Sequence, residues 1–328
     1  MKKIILIIIF TTLLADSLVY AFNKGGRTAL QFTKIGIGAR QSGMGEACIS
    51  IVRDVNSVFW NPANLSGIQH AEASFNYNRW LADMNYLSGA AAYRLKNVGV
   101  FALYFSNLDY RDLQEALVTS PTGSADTRTG ATFGGGDMMV GLGVSRDFTD
   151  KLSIGINTKY LREDLFDYEV GIMAFDIGTY YKTGYKGIRI AMSAQNFSTG
   201  SVSFLGEEKS DRIDGYDIPL IFRVGASFDL IGGENGFFNM GENHYLQVGL
   251  DAINSNDYGE RYHIGGEYWL GNMIALRSGY RFNYEEGNVA LGIGLNFEVA
   301  GVKTYFDYAY VNYDYLDSPN RFTVTFSF

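Results

Sequence analysis

The sequence predicts a transmembrane antiparallel β-barrel of fourteen strands with an N-terminal plug. Three observations point there. The last seven residues, Phe322 to Phe328, alternate apolar and polar and stop on an aromatic. Alternating segments close to the ~9–11 residues that a tilted strand needs to cross hydrocarbon recur from residue 71 onward. No stretch reaches the ~18 consecutive apolar residues of a transmembrane helix, yet the N-terminus reads as an export signal.

That signal comes first in chain order. Lys2 and Lys3 precede an apolar run from Ile4 to Leu14, and Val19-Tyr20-Ala21 has the small-x-small form of a cleavage site. Residues 1–21 are therefore expected to be removed, leaving Phe22 first. Cys48 is the only cysteine, so an exported chain has no internal disulfide framework, and this thiol is expected to behave as a small buried hydrophobe. The net charge of −8 without basic clusters argues against nucleic acid as a partner.

Residues 22–68 do not alternate and are expected to form the plug, with residues 69–328 as the barrel. Gly38, Gly43 and Gly45 lie in turn-rich, close-packing stretches together with Met44. Asp54 suits the N-cap of a short helix through Phe59-Trp60, and Pro62 ends it by biasing Asn61 away from helical geometry. Asn61-Pro62-Ala63-Asn64 then turns the chain toward the wall.

Strands are expected near 71–78, 85–95, 97–106, 137–148, 151–161, 170–183, 187–197, 219–229, 244–253, 260–270, 273–284, 288–299, 302–313 and 320–328. The clearest is 289–299, where Val289, Leu291, Ile293, Leu295, Phe297 and Val299 share one face. Tight connections at Lys96-Asn97, Thr149-Asp150, Gly271-Asn272 and Ala300-Gly301 all fall at one end, as periplasmic turns do. Longer polar connections at 107–136, 162–169, 198–218 and 314–319 fall at the other, and 230–242 is a long exception. A soluble sandwich also alternates, but its strands are usually shorter, and tyrosines near the strand ends (Tyr160, Tyr280, Tyr284, Tyr308, Tyr310) suit interface girdles. The apolar side of the last strand, Phe322, Val324, Phe326 and Phe328, is expected to face lipid as the membrane-insertion strand.

The opposite faces should line the lumen. They carry many glycines, among them Gly141, Gly143, Gly155, Gly225, Gly249, Gly265, Gly279, Gly292 and Gly294, which suggests that another stretch of backbone packs inside. They also carry Arg223, Asp251, Glu267, Arg277, Arg281, Glu298, Lys303 and Asp307. These charges read either as a conduction path or plug latch, or as solvated pairs that keep the interior wet. No strongly apolar inward lining stands out.

Catalysis is not expected. His70, His244 and His263 are scattered, no spacing suggests a metal, and no cofactor is implied. Asp211, Asp214 and Asp217 do not follow the order of an EF-hand and read as a solvated acidic loop.

The run GARQSGMGEACISIVRDVNSVFWNPANLSG resembles the N-terminal signature of the PorV/PorQ family, in the wider superfamily of FadL-type long-chain fatty-acid transporters. The matching residues are Gly38-Ala39-Arg40, Gly43-Met44-Gly45, Ala47, Asp54 and Asn61-Pro62-Ala63. The resemblance implies a fourteen-stranded outer-membrane barrel, set in lipid and gated by its plug. It implies small hydrophobic substrates or, for PorV-like members, partners from type IX secretion; a structural barrel without transport is the third reading. In the transport reading, substrate docks among the loops 107–136 and 198–218. The plug then shifts around Gly43–Gly45 and Asn61–Ala63, with Arg40 and Asp54 as an ion pair of the closed state.

Overall fold

Period-two alternation requires each strand to bury one face and offer the other to a different solvent. The computed structural model, which describes residues 26–111, 113–116, 128–166, 168–203, 215–232 and 236–328, meets that requirement by closing on itself. Its strands are β1 (Ala71–Arg79), β2 (Asn85–Leu95), β3 (Gly99–Asp109), β4 (Leu113–Ala116), β5 (Arg128–Phe133), β6 (Gly135–Asp147), β7 (Leu152–Leu165) and β8 (Tyr168–Lys182). They continue as β9 (Arg189–Ser198), β10 (Ile221–Ile231), β11 (His244–Ser255), β12 (Arg261–Leu270), β13 (Ile274–Phe282), β14 (Val289–Val299), β15 (Val302–Val311) and β16 (Asn320–Ser327). All but β4 and β5 form one closed antiparallel barrel of fourteen strands. The seam joins β1 to β16, with Phe75 opposite Val324 and Tyr77 opposite Phe322.

The outward positions form an exposed apolar belt, including Phe101, Leu103 and Phe105 on β3, Val140, Leu142 and Val144 on β6, and Leu291, Ile293 and Leu295 on β14. Only a hydrocarbon solvent makes such a surface favourable. The chain is an integral β-barrel of the outer-membrane type. Among the described residues no helix is long and apolar enough to cross a membrane.

Turn chemistry sets the register at the periplasmic end. Gly271 and Asn272 both have positive φ (59° and 57°), the backbone of a type I′ hairpin turn, whose twist matches that of its strands. At the outer end two connections differ from expectation. β7 runs to Leu165 and β8 starts at Tyr168, so most of 162–169 is strand, carrying the Arg162–Asp164 and Arg162–Glu169 ion pairs at 3.0 Å each. The 107–136 connection contains the β4–β5 hairpin, which its mixed composition did not announce. The expected signal peptide, Asp211 and Asp214 lie outside the described residues.

Candidate functional site

Residues 26–70, here called the inner segment, run through the barrel from its outer end to its periplasmic end. At the outer end the Leu30 N–H donates to Glu163 (3.0 Å), and Thr28 and Lys34 reach Asp257 (3.0 and 2.7 Å). At the periplasmic end Arg94 donates to the Ile68 carbonyl (2.6 Å), after which the chain enters β1. Local sequence explains the path. The five residues Ala39–Gly43 make the one-turn helix α1, entered through Gly38 at φ 95°. Asp54 caps the 3-10 turn Val55–Phe59 by accepting from the Asn56 N–H, and Asn61 caps Pro62–Gly67 by accepting from the Ala63 N–H. The short helix expected after Asp54 is thus a 3-10 turn.

The glycine face of the wall is the seat of this segment. In register, Gly265 on β12 stands opposite Gly249 on β11 and Gly279 on β13. A β-carbon on Gly249 would lie 2.7 Å from the Ala47 carbonyl oxygen, and one on Gly43 would lie 2.9 Å from Gly292 Cα. On Gly265 or Gly279 it would overlap the Met44 backbone, and a β-carbon on Gly45 would lie 2.9 Å from the Gly279 carbonyl carbon. The track continues on the far side, where Gly155 abuts Pro62-Ala63 and Gly178 abuts Asn61.

Inward polar side chains satisfy the backbone laid on this track. Asp251 accepts from the N–H groups of Cys48 (2.9 Å) and Ile49 (3.2 Å). Thr323 accepts from Ala39 N–H (2.8 Å), Ser145 donates to the Ala63 carbonyl (2.9 Å), and Asn61 donates to Thr179 (3.0 Å). Buried backbone groups need such partners, because each unmet one costs about 1–3 kcal/mol. Cys48 is fully buried, and burial, with the Asp251 charge, pushes its thiol well above its ordinary value.

The charges expected in the lumen lie on β10 to β15, and all but Glu298 and Lys303 are buried instead of solvated. Arg40 bridges Asp54 (3.1 Å) and Glu267 (2.6 Å); Arg277 bridges Glu267 (2.6 Å) and Asp307 (2.7 Å). The result is an alternating chain in which Glu267 and Arg277 are almost wholly buried. Burial works against the Arg40 charge, but the Glu267 carboxylate outweighs it and raises the guanidinium pKa. Burial pushes the Asp54 carboxyl up despite the pull of Arg40. Nearer the outer end Arg281 pairs with Glu46 (3.1 Å), and Arg223 stacks 4.9 Å over the Trp60 ring. Glu298 departs from expectation: it is exposed at the periplasmic rim, opposite Lys303, outside the buried network. Tyr284 does too. It lies past the end of β13 and turns inward to His263 (2.9 Å) instead of joining a lipid-facing girdle.

The other half of the lumen corrects a second expectation. An apolar inward lining exists, on β2 to β8: Tyr86, Ala90, Ala92, Val100, Ala102, Tyr104, Leu108, Met139, Leu161 and Ile172 are buried there with Phe32, Ile37, Val55 and Val58 of the inner segment. The available signal was a strand apolar on both faces, as in Ala90-Ala91-Ala92 and Val100 to Tyr104, which means burial on both sides.

Two cavities flank the segment. The outer one, about 590 Å³, is lined by Phe32, Ile35, Trp80, Met84, Leu108, Tyr110, Leu113, Tyr284 and Tyr313, with Glu46, Asp137, Arg281 and Arg321 among its polar groups. The periplasmic one, about 490 Å³, is mixed, with Arg40, Arg53, Asp54, Glu72, Arg277, Lys303 and Asp307 beside Ile51, Tyr245, Trp269 and Tyr305. A third cavity, of only about 30 Å³, adjoins the outer one at Lys34, Ile35 and Gly36 and lies beside Phe59, Trp60, Tyr104 and Arg223. The wall around the apolar half is continuous, with β3 paired to β2 and β6 without a register break.

This architecture occurs in solved structures. The toluene transporter TbuX of Ralstonia pickettii is 14% identical, with a TM-score of 0.54 over 89% of this chain and 97% of that one. The toluene transporter TodX of Pseudomonas putida is 11% identical, with a TM-score of 0.57 over 89% and 98%. A FadL homologue of Pseudomonas aeruginosa is 10% identical, with a TM-score of 0.52 over 90% and 98%. The chain shares its fold with these three proteins. At these identities the likeness is one of fold alone. No family model matches the chain, and no curated protein matches it in sequence.

Proposed function

We propose that this barrel passes small hydrophobic compounds across the outer membrane, with the inner segment as its plug and gate. The observation that carries the reading is the outer cavity: its walls are apolar and aromatic, and it leads into the apolar half of the lumen. Such a cavity is of the size and character that binds a small apolar ligand. The cavity that adjoins it at Lys34, Ile35 and Gly36 holds only about 30 Å³, which supports a gate that opens when the segment moves. Movement around Gly43–Gly45 and Asn61–Ala63 would join the two larger cavities, breaking the Arg40–Asp54 and Arg40–Glu267 pairs. The toluene transporters that share the fold support the substrate class. The test is uptake of labelled toluene by a deletion strain with and without the restored protein. Equal uptake in the two would sink the proposal.

The PorV/PorQ assignment is a narrower proposal, supported by the sequence resemblance of residues 38–67, all of which lie in the inner segment. In that reading the barrel docks a secretion component. Affinity capture of the intact protein should then retain such a component, and recovery of lipid alone counts against it. A barrel without transport predicts no conductance in planar bilayers even after residues 26–60 are removed. We also read the chain as non-catalytic: His244 and His263 are each taken up by a tyrosine, at 2.6 and 2.9 Å.

A further inference from the structure

The outer cavity has an electrostatic feature that a site for neutral hydrocarbon does not need. Arg321, on the inward side of β16, is only 2% exposed and lines the cavity. It has no ion-pair partner among the described residues, and its Nε and Nη1 are buried without a hydrogen bond. Its guanidinium lies 5.6 Å from the centre of the Trp80 ring, also in the cavity wall. Next to it in the lining, Arg281 is 5% exposed. Arg281 donates to Glu46 (3.1 Å) and to the Gly287 carbonyl (2.6 Å), while its Nη2 has no partner. Glu46 gives its hydrogen bond to Arg281, and its charge reaches Arg321 only through space. Lys34, the remaining cation of the lining, is spent on Asp257 at 2.7 Å.

An unpaired buried guanidinium is costly, and so is each unmet donor on it. An anionic group in the cavity would relieve both, since a planar carboxylate matches the guanidinium fork. The other carboxylate in the lining, Asp137, stands on β6, four strands round the wall, where it accepts from Tyr110 (2.6 Å). The two guanidinium groups place the positive end of the cavity at β13 and β16, and the anionic end of a ligand belongs there. The remaining wall offers ring faces from Phe32, Trp80, Tyr284 and Tyr313, which favour a flat apolar body. The adjoining cavity of about 30 Å³ is too small to take a ring, so the ligand stays in the outer cavity.

We propose that the outer cavity is a receptor for compact aromatic carboxylates, with Arg321 holding the carboxylate and Arg281 beside it. The inference rests on the passage reading and names the substrate class of the same site.

The test is binding of benzoate to the purified full chain in detergent, by calorimetry and by tryptophan fluorescence. Toluene, laurate and inorganic phosphate are the comparison probes. Benzoate should bind about tenfold or more tighter than toluene, the value of one charged hydrogen-bonded contact. Arg321→Gln should bring that ratio down to about one, and Arg321→Lys should keep part of it. Toluene binding as tightly as benzoate, or a ratio unchanged in Arg321→Gln, overturns the proposal. Phosphate or laurate binding more tightly than benzoate overturns it as well, the first by showing a site for charge alone and the second a site for a long chain. Folding of each variant is checked by heat-modifiable gel mobility. If Arg321→Gln does not fold, the wild-type ratios and Arg321→Lys decide. Loss of benzoate preference with toluene uptake intact sinks this inference only. Benzoate binding without passage of any compound sinks the passage reading only.

Discussion

Gly265 and Gly266 are neighbours in sequence on β12, yet a methyl group added to each should have opposite consequences. On Gly265 the new β-carbon would overlap the Met44 carbonyl, and Met44 Cβ would be 3.1 Å away. Neither side can yield cheaply, since one is strand backbone and the other is buried inner segment. On Gly266 the β-carbon would meet the Gln247 carbonyl oxygen at 3.4 Å and Leu246 Cδ1 at 3.8 Å, both ordinary contacts. Overpacking by one methyl costs about 1–3 kcal/mol in a close-packed interior. If that strain is released by lifting the segment, the lifted fraction rises roughly five- to 150-fold. The chain supplies its own reporter. Cys48 is the only thiol, is fully buried, and lies four residues past Met44. Labelling of Cys48 by a maleimide in folded protein should therefore accelerate by that factor in Gly265→Ala and stay at the wild-type rate in Gly266→Ala. Equal rates in the two variants would refute the claim that the wall glycines exist to seat the segment.

Three further outcomes follow from the lumen chemistry. Arg40→Gln leaves Glu267 with only Arg277 and should lower stability by about 3 kcal/mol, the lower end for a broken buried pair because Arg40 is partly exposed; adding Glu267→Gln should restore part of the urea midpoint. Asp251→Ala removes the oxygen that accepts two N–H groups, costing about 1–3 kcal/mol, and should raise Cys48 labelling without altering barrel content by circular dichroism. Burial favours the neutral form of Glu46, but the charges of Arg281 and its neighbours prevail and hold its carboxyl below the ordinary 4.5. A folded pKa below the unfolded one stabilises docking above pH 4.5, and that contribution is lost as pH falls through the folded value. Cys48 labelling after acid incubation should therefore rise in wild type and be less acid-sensitive in Glu46→Gln; identical acid profiles would refute the assignment.

The barrel was legible because alternation, strand length and tight turns are local signals that agree with one another. Phe322 to Phe328 states its two faces plainly, and so does 289–299. The glycines of the polar faces gave the inner packing, since a missing side chain marks where other backbone comes close. What was not legible depends on distance in sequence. Glu267 and Arg40 are 227 residues apart, and nothing local pairs them. The apolar sector on β2 to β8 was hidden because its strands are apolar on both faces, leaving no contrast to mark the inside. Arg321 sits on the polar side of a strand whose apolar side drew the attention. Its lack of a partner is a property of the closed barrel, not of the sequence around it.

The route of the inner segment bears on how the barrel is made. The segment precedes β1 in the chain, and the wall that grips it is completed only when β16 pairs with β1. Glycines on β7, β8, β11, β12, β13 and β14 accept its backbone from opposite sides, so it cannot be slipped in sideways once the seam is sealed. The first-made part of the molecule thus acts as the mandrel on which the rest is wound. Its bulk fills a tube whose girth the fourteen strands set, and seating and closure become one event. Variants that loosen the segment should therefore fail first as slow or incomplete assembly, before any defect in what the finished barrel lets through.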